Sequence, residues 1–140
     1  MYKRQEHEGV IDVALRPLMG NHIYGCDDCQ LVCPWNKFAQ ASSLPDFDVR
    51  AGLVGQDMAR LLAWSEAEFL RYTEGSPIRR IGHVRWLRNL AVAAGNALCH
   101  ADDVALRQAL QTHLTHTSEV VRTHVAWALG QHVQKVAHTP

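Results

Sequence analysis

Long apolar runs are missing from this sequence. No stretch of 18 apolar residues occurs, so the pattern holds no membrane-spanning helix. The first residues, "MYKRQEHEGVID", lack the apolar core of a secretory signal. Excess charge is missing too: 14 Lys and Arg balance 14 Asp and Glu, for a formal net charge of zero. Global charge therefore argues for neither a nucleic acid nor a membrane partner, and only local clustering can. Cysteine is scarce, at four in 140 residues. In a chain with no export signal, disulfides are not expected, and clustered cysteines read better as metal ligands. The expected compartment is the cytoplasm.

What remains is the composition of an ordinary soluble domain, 47% apolar and 20% charged. Its length suits one domain, or a small module with a short helical array. The character of the chain changes near residue 50. The first part holds most of the cysteines, Pro17, Pro34 and Pro45, and a Gly20-Asn21 turn signal. It reads as irregular, with one short helix around Val10–Leu15. The second part reads as helices. A first helix is expected over Gln56–Ala63. Ser65 with Glu68 three residues on forms a capping box that starts another through Tyr72. Gly75 and Pro77 end it. Further helices are expected from Ile81 to His100, from Val104 to Leu114 behind Asp102 or Asp103, and from Ser118 to about Val136.

A weak internal repeat accompanies them. "LAVAAG" (Leu90–Gly95) and "VAWALG" (Val125–Gly130) stand 35 residues apart, each after an Arg-bearing stretch. Stacked helix pairs of the HEAT type use small residues in this way to let neighbours approach. Two ordinary Ala-rich amphipathic helices give the same pattern.

Three of the four cysteines lie within "YGCDDCQLVCPWN", Tyr24 to Asn36. The spacing is Cys26-x2-Cys29-x3-Cys33-Pro34. Soft thiolates at short spacing let one loop wrap an inorganic core. Bacterial iron–sulfur segments use C-x2-C-x2-C-x3-C-P, whose fourth cysteine serves the other cluster in two-cluster versions. The present stretch matches the last three cysteines and the proline, and Ile23 stands where the first would be. By that rule Cys26 and Cys29 serve one [4Fe–4S] cluster and Cys33 a second. Cys99 lies on an apolar helix and reads as a buried free thiol. Zinc is the other metal to weigh, but it calls for a second ligand pair, and His113-x2-His116 is too tight. The fold class is therefore mainly α. An irregular, partial ferredoxin-like 4Fe-4S segment (residues 1–45) precedes a HEAT-like α-helical domain (residues 46–140).

A second cluster is positive. Arg71, Arg79, Arg80, Arg85 and Arg88 accompany His83, with Glu74 the one acid between. Such a patch suits phosphates, and Trp86 could stack on an unpaired base. Against that, Trp86 reads equally as core, and Arg85 or Arg88 as partners of helix C-termini.

The words around these residues carry a resemblance. "GNHIYGCDDCQLVCPWNKFA" resembles the second cluster motif of the epoxyqueuosine reductase family. "EGSPIRRIGHVRWLRNLAVAAGNAL" resembles the helical region that follows it, so the likeness runs from Glu6 to Leu98. The resemblance implies a cytoplasmic oxidoreductase. Such enzymes reduce epoxyqueuosine to queuosine at the wobble position of tRNA, with a cobalamin and two [4Fe–4S] clusters. It implies Cys26, Cys29 and Cys33 as cluster ligands, and Asp27 and Asp28 close to the cobalamin. It also implies Arg79, Arg80, His83, Arg85 and Arg88 on the tRNA side. The family's cobalamin-binding domain and first cluster motif have no counterpart here. The chain therefore reads as the C-terminal portion of such an enzyme, inactive alone, with the missing N-terminal half a possible separate partner. A small electron-transfer protein and a HEAT-like tRNA- or protein-binding module are the competing readings.

Overall fold

The computed structural model describes residues 6–45 and 52–137. The protein is mainly helical, and no strand occurs among the described residues. The helices are α1 (Asp28–Leu31), α2 (Met58–Leu62), α3 (Glu66–Tyr72), α4 (Gly82–His100), α5 (Val104–Gln111) and α6 (Glu119–Ala137). Short 3-10 turns occupy Val13–Leu15, Pro17–Met19, Pro34–Phe38 and Pro77–Ile81.

Local chemistry sets most boundaries. Ser65 accepts from the Glu68 backbone N–H while the Glu68 carboxylate takes the Ser65 N–H at 2.9 Å, closing the expected box. Hydrogen bonds donated by the Ser65 backbone N–H and hydroxyl hold the Glu68 carboxyl below its ordinary pKa. Asp57 caps α2 and Asp103 caps α5, each through a side-chain oxygen. Asp103 rather than Asp102 does so, as the N-cap residue, while Asp102 pairs with Arg107 at 2.8 Å. The helix expected over Val10–Leu15 shrinks to a 3-10 turn: Asp12 stops the chain to cap it, and Pro17 opens the next. The predicted domain boundary, between residues 45 and 46, abuts residues 46–51, which lie outside the described ones.

One core joins the helices. Leu61 and Leu62 of α2 and Phe69 of α3 meet Trp86, Leu87, Leu90, Ala91 and Ala94 of α4. Leu106 and Leu110 of α5 and Val121, Val125 and Ala128 of α6 complete it. Each large side chain buried here stabilises by about 1.5–3 kcal/mol. Trp86 stacks on Trp64 at 5.7 Å between ring centroids, and Phe69 lies 5.7 Å from it on a tilted ring. Helices α4 and α6 share the broadest interface among the described elements. Gly95 sits within it at a tight approach, where a Cβ would fall 2.6 Å from the Trp127 ring and 2.8 Å from Ala128 Cα. Gly130, its counterpart in the sequence repeat, faces open space.

The N-terminal segment lies against the same helices. Ile11 and Met19 pack on Val92 of α4, with Leu15 and Trp127 at the edge. Arg16 is buried, donates from Nε to the Ile11 carbonyl at 3.0 Å and stands over the Trp127 ring.

Candidate cluster loop and basic rim

A polar stripe on α4 positions the loop that carries the cysteines. Arg85, Arg88, Asn89, Val92 and Asn96 recur at helical spacing, so they share one face. That face meets the N-terminal segment and gathers its carbonyls. Asn96 Nδ2 donates to Arg16 O at 2.9 Å and Gly20 O at 2.7 Å. Asn89 Nδ2 donates to Ile23 O at 2.9 Å, three residues before Cys26. Arg88 donates to the carbonyls of His7 and Gly9 and, through Nε and Nη2, to Asn89 Oδ1. Arg85 reaches Ile81 O, Arg80 O and Glu6 O, with Glu8 3.7 Å away. From α6, His124 completes the hold. Its Nε2 accepts the Ile11 N–H at 3.1 Å, which leaves Nδ1–H to donate to Val120 O at 2.7 Å.

Electrostatics follow from this burial. Desolvation, with Arg85 adjacent, lowers the Arg88 pKa to about 10, so the guanidinium stays charged at neutral pH. Desolvation pushes His124 down to about 4, against a hydrogen bond to Val120, and with help from Arg16 and Arg88. His124 is therefore a neutral, fixed tautomer at neutral pH.

The predicted tRNA-side residues thus divide. Arg88 is fully buried and Arg85 half-buried, and both are engaged with backbone carbonyls of the N-terminal segment and its flanks. His83 Nε2 bonds to the Trp64 carbonyl at 2.8 Å. Trp86 is 3% exposed and belongs to the core, so it offers no face to a base. Arg79 and Arg80 are exposed at the turn entering α4. Arg80 reaches Tyr24 OH at 3.1 Å and Glu6 at 3.7 Å, and Tyr24 donates to Glu6 at 2.9 Å. The tyrosine hydroxyl and the Glu6 carboxylate raise the Arg80 pKa. This trio ties the basic rim to the residue two before Cys26, a link that sequence spacing does not reveal.

The cysteine loop itself is short and open. Gly25 (φ 67°) and Asp27 (φ 51°) both adopt left-handed backbone, which turns the chain into α1. Cys26 and Cys33 are half-buried and Cys29 exposed. Asp27 and Asp28 are exposed, at the N-cap and first position of α1. Asn36 Nδ2 staples the loop by donating to Gln30 O at 2.6 Å. Cys99, expected to be buried, is exposed on the last turn of α4, because the apolar stripe there ends at Leu98.

The residues fit an iron–sulfur cluster in their chemistry and in one further respect. Three accessible thiols at short spacing are a soft donor set. Among the described residues, no three His, Cys, Asp or Glu side chains converge to hold a single ion. The further respect is a cleft of about 370 Å³ walled by Asn21 to Asp27, Ile78 and Trp86. The buried indole N–H of Trp86 has no partner among the described residues, although Cys26 lines the same cleft. No helix among the described residues is long and apolar enough to cross a membrane.

Known proteins supply the context. Residues 1–36 match the family of 4Fe-4S double cluster binding domains. Epoxyqueuosine reductase of Alicycliphilus denitrificans is 67% identical over 134 residues, covering 93% of this chain and 37% of that protein. Epoxyqueuosine reductase of Escherichia coli is 49% identical over 134 residues, covering 96% of this chain and 34% of that protein. Among solved structures, epoxyqueuosine reductase from Bacillus subtilis aligns with a TM-score of 0.77 at 28% identity, over 93% of this chain and 34% of that one. An epoxyqueuosine reductase crystallised with an epoxyqueuosine-modified tRNA-Tyr stem loop shares the fold at TM-score 0.81 and 23% identity, over 99% of this chain and 39% of that one. The chain is thus similar to a part of these reductases, and spans about a third of the length of the curated relatives it matches.

Proposed function

We propose that this chain is the C-terminal portion of an epoxyqueuosine reductase and carries the cluster-binding joint and tRNA-facing rim of a cytoplasmic enzyme. The observation that carries this reading is the 67% identity to such a reductase over 93% of this chain. In this reading Cys26 and Cys29 ligate one [4Fe–4S] cluster and Cys33 a second, with the remaining ligands outside this chain. Clusters held by these cysteines would supply electrons, and a cobalamin the reductive chemistry, for removing the epoxide oxygen of the tRNA base as water at the cost of two electrons and two protons. Asp27 and Asp28, exposed at the start of α1, would offer backbone groups to that cobalamin. Arg79 and Arg80 meet the phosphates of the anticodon region, while Arg85, Arg88 and His83 support that rim from behind. The reductase activity requires the length absent from this chain, in one polypeptide or as a separate N-terminal partner.

The fold is read in the same spirit. Residues 46–140 form a HEAT-like helical domain in which α4 and α6 are the equivalent helices. Both run for 19 residues, and the close approach at Gly95 supports the reading.

Two measurements test it. Binding of an anticodon stem-loop is followed across salt for the chain and for Arg79→Ala with Arg80→Ala. Losing two phosphate contacts reduces the log–log salt slope by roughly 1.5; an unchanged affinity and slope would remove the rim from the interface. Anaerobic reconstitution with iron and sulfide tests the ligand count. A stable cluster with about four irons on this chain alone contradicts the division of cysteines between two clusters.

A further inference from the structure

Trp86 is the one buried side-chain donor without a partner among the described residues. An unsatisfied buried donor costs about 1–3 kcal/mol, and such exceptions call for a ligand, an ion or a water. The indole has no freedom to escape: it is stacked on Trp64 and flanked by Phe69. It walls the cleft that Cys26 also lines. Two other polar groups of that cleft are already engaged, Ile23 O by Asn89 and Tyr24 OH by Arg80 and Glu6. Cys26 differs from them because its sulfur becomes anionic when it binds a metal. An indole N–H is a donor only, and charge-assisted hydrogen bonds to anionic acceptors are the strong ones.

We propose that the Trp86 indole N–H donates a hydrogen bond to the sulfur of Cys26 once that sulfur is ligated to metal. The proposal rests on the reading of Cys26 and Cys29 as cluster ligands. The helix itself supports the pairing. Asn89 lies one turn after Trp86 and holds Ile23, three residues before Cys26, so donor and acceptor loop are registered by the same element. Hydrogen bonds to cluster sulfurs are among the levers that set reduction potential. In the complete enzyme this contact stabilises the more negative, reduced cluster, and Trp86→Phe shifts its potential to more negative values.

Cadmium is the probe for the chain as it stands, because it is a soft, redox-silent thiolate binder. The reduced 140-residue chain, with its indoles labelled with nitrogen-15, is titrated anaerobically with Cd²⁺. The thiolate-to-metal absorption and the indole resonances are followed together. Ligation is expected to move the Trp86 N–H resonance downfield and slow its exchange with solvent. Cys26→Ser, which leaves the core untouched, is expected to abolish both changes. Trp86→Phe is expected to weaken Cd²⁺ binding by about tenfold. Cadmium bound with the Trp86 resonance unmoved, as when a cleft water already satisfies the indole, would overturn the proposal. An unchanged Kd in a folded Trp86→Phe chain would do the same. Failure of Cd²⁺ to give any thiolate absorption strikes the ligand reading first and removes this contact with it.

Discussion

Residues 6–24 and residues 26–45 are neighbours in sequence and opposites in how they are held. The first stretch has carbonyls at Glu6, His7, Gly9, Arg16, Gly20 and Ile23 taken by side chains of α4. It also packs Ile11 and Met19 into the molecule. The second stretch is bonded mostly to itself and leaves Leu31, Val32, Trp35 and Phe38 between 63% and 78% exposed. A segment without strands or long helices has few backbone partners of its own, so it stays ordered only where another element supplies them. Helix α4 does so up to Ile23 and stops there, just before the first cysteine. The cysteine loop is thus carried at the end of an anchored arm and is held mainly by its own short turns and the Asn36 staple.

The largest test of this difference is Arg88. Arg88→Met keeps an unbranched apolar stem but leaves the His7 and Gly9 carbonyls without their donor. A loss of about 3 kcal/mol or more in unfolding free energy is expected, read from urea midpoints at constant slope. Arg79→Ala and Arg80→Ala, on the exposed rim, are expected to stay within about 0.5 kcal/mol of the parent. If Arg88→Met proved equally silent, the arm would not be anchored in the way described.

Acid offers a comparable effect without mutation. His124 is neutral and buried, with its pKa lowered from 6.5 to about 4, while in the unfolded chain it titrates at its ordinary value. Below pH 6.5 the unfolded state binds the extra proton first, so this contribution to stability is complete above 6.5. It declines by about 1.4 kcal/mol per pH unit and is lost near pH 4, roughly 3 kcal/mol in all. Residues 6–24 should then exchange amide hydrogen faster, because the His124 proton displaces the Ile11 N–H. A His124→Gln chain whose stability falls just as steeply between pH 6.5 and 4 would assign the effect to other groups.

Asn96 comes next. Its truncation to Ala orphans Arg16 O and Gly20 O and is expected to cost about 1–2 kcal/mol, again by urea unfolding.

These side chains also mark the boundary of what could be read in advance. The helices from Ser65 onward followed from capping chemistry and apolar period, because both act within a few residues. The match of residues 1–36 to a 4Fe-4S double cluster family was legible for the same reason, since the cysteine spacing that carries it is short. The roles of Arg85, Arg88, Asn89 and Asn96 were not, although a signal existed. Polar residues at positions 85, 88, 89 and 96 fall on one face of a helix that is otherwise apolar from Val84 to Leu98, and polar groups on a buried face need partners. Their partners are backbone carbonyls 66 to 81 residues away, which carry no sequence identity to read. Sequence proximity groups the five arginines and offers both a phosphate patch and carbonyl partners for Arg85 and Arg88; burial separates Arg79 and Arg80 from Arg85 and Arg88. The Tyr24, Glu6 and Arg80 trio was invisible for the same reason.

The smallest expected effect sharpens the comparison most. Trp35 and Phe38 lie 5.6 Å apart by ring centroids and remain open to solvent on the 3-10 turn after Cys33. Large aromatic groups normally stabilise a fold by burial, but these bury little here, so they have little to lose. Trp35→Ala and Phe38→Ala are each expected to change unfolding free energy by less than about 0.5 kcal/mol, by the same urea measurement. A loss of 2 kcal/mol or more from either would mean that residues 26–45 pack as firmly as residues 6–24. The contrast between an anchored arm and an open loop would then have to be abandoned. A near-zero result leaves the two rings as apolar surface without a structural duty in this chain, beside the cysteine that the cluster reading assigns to a second centre.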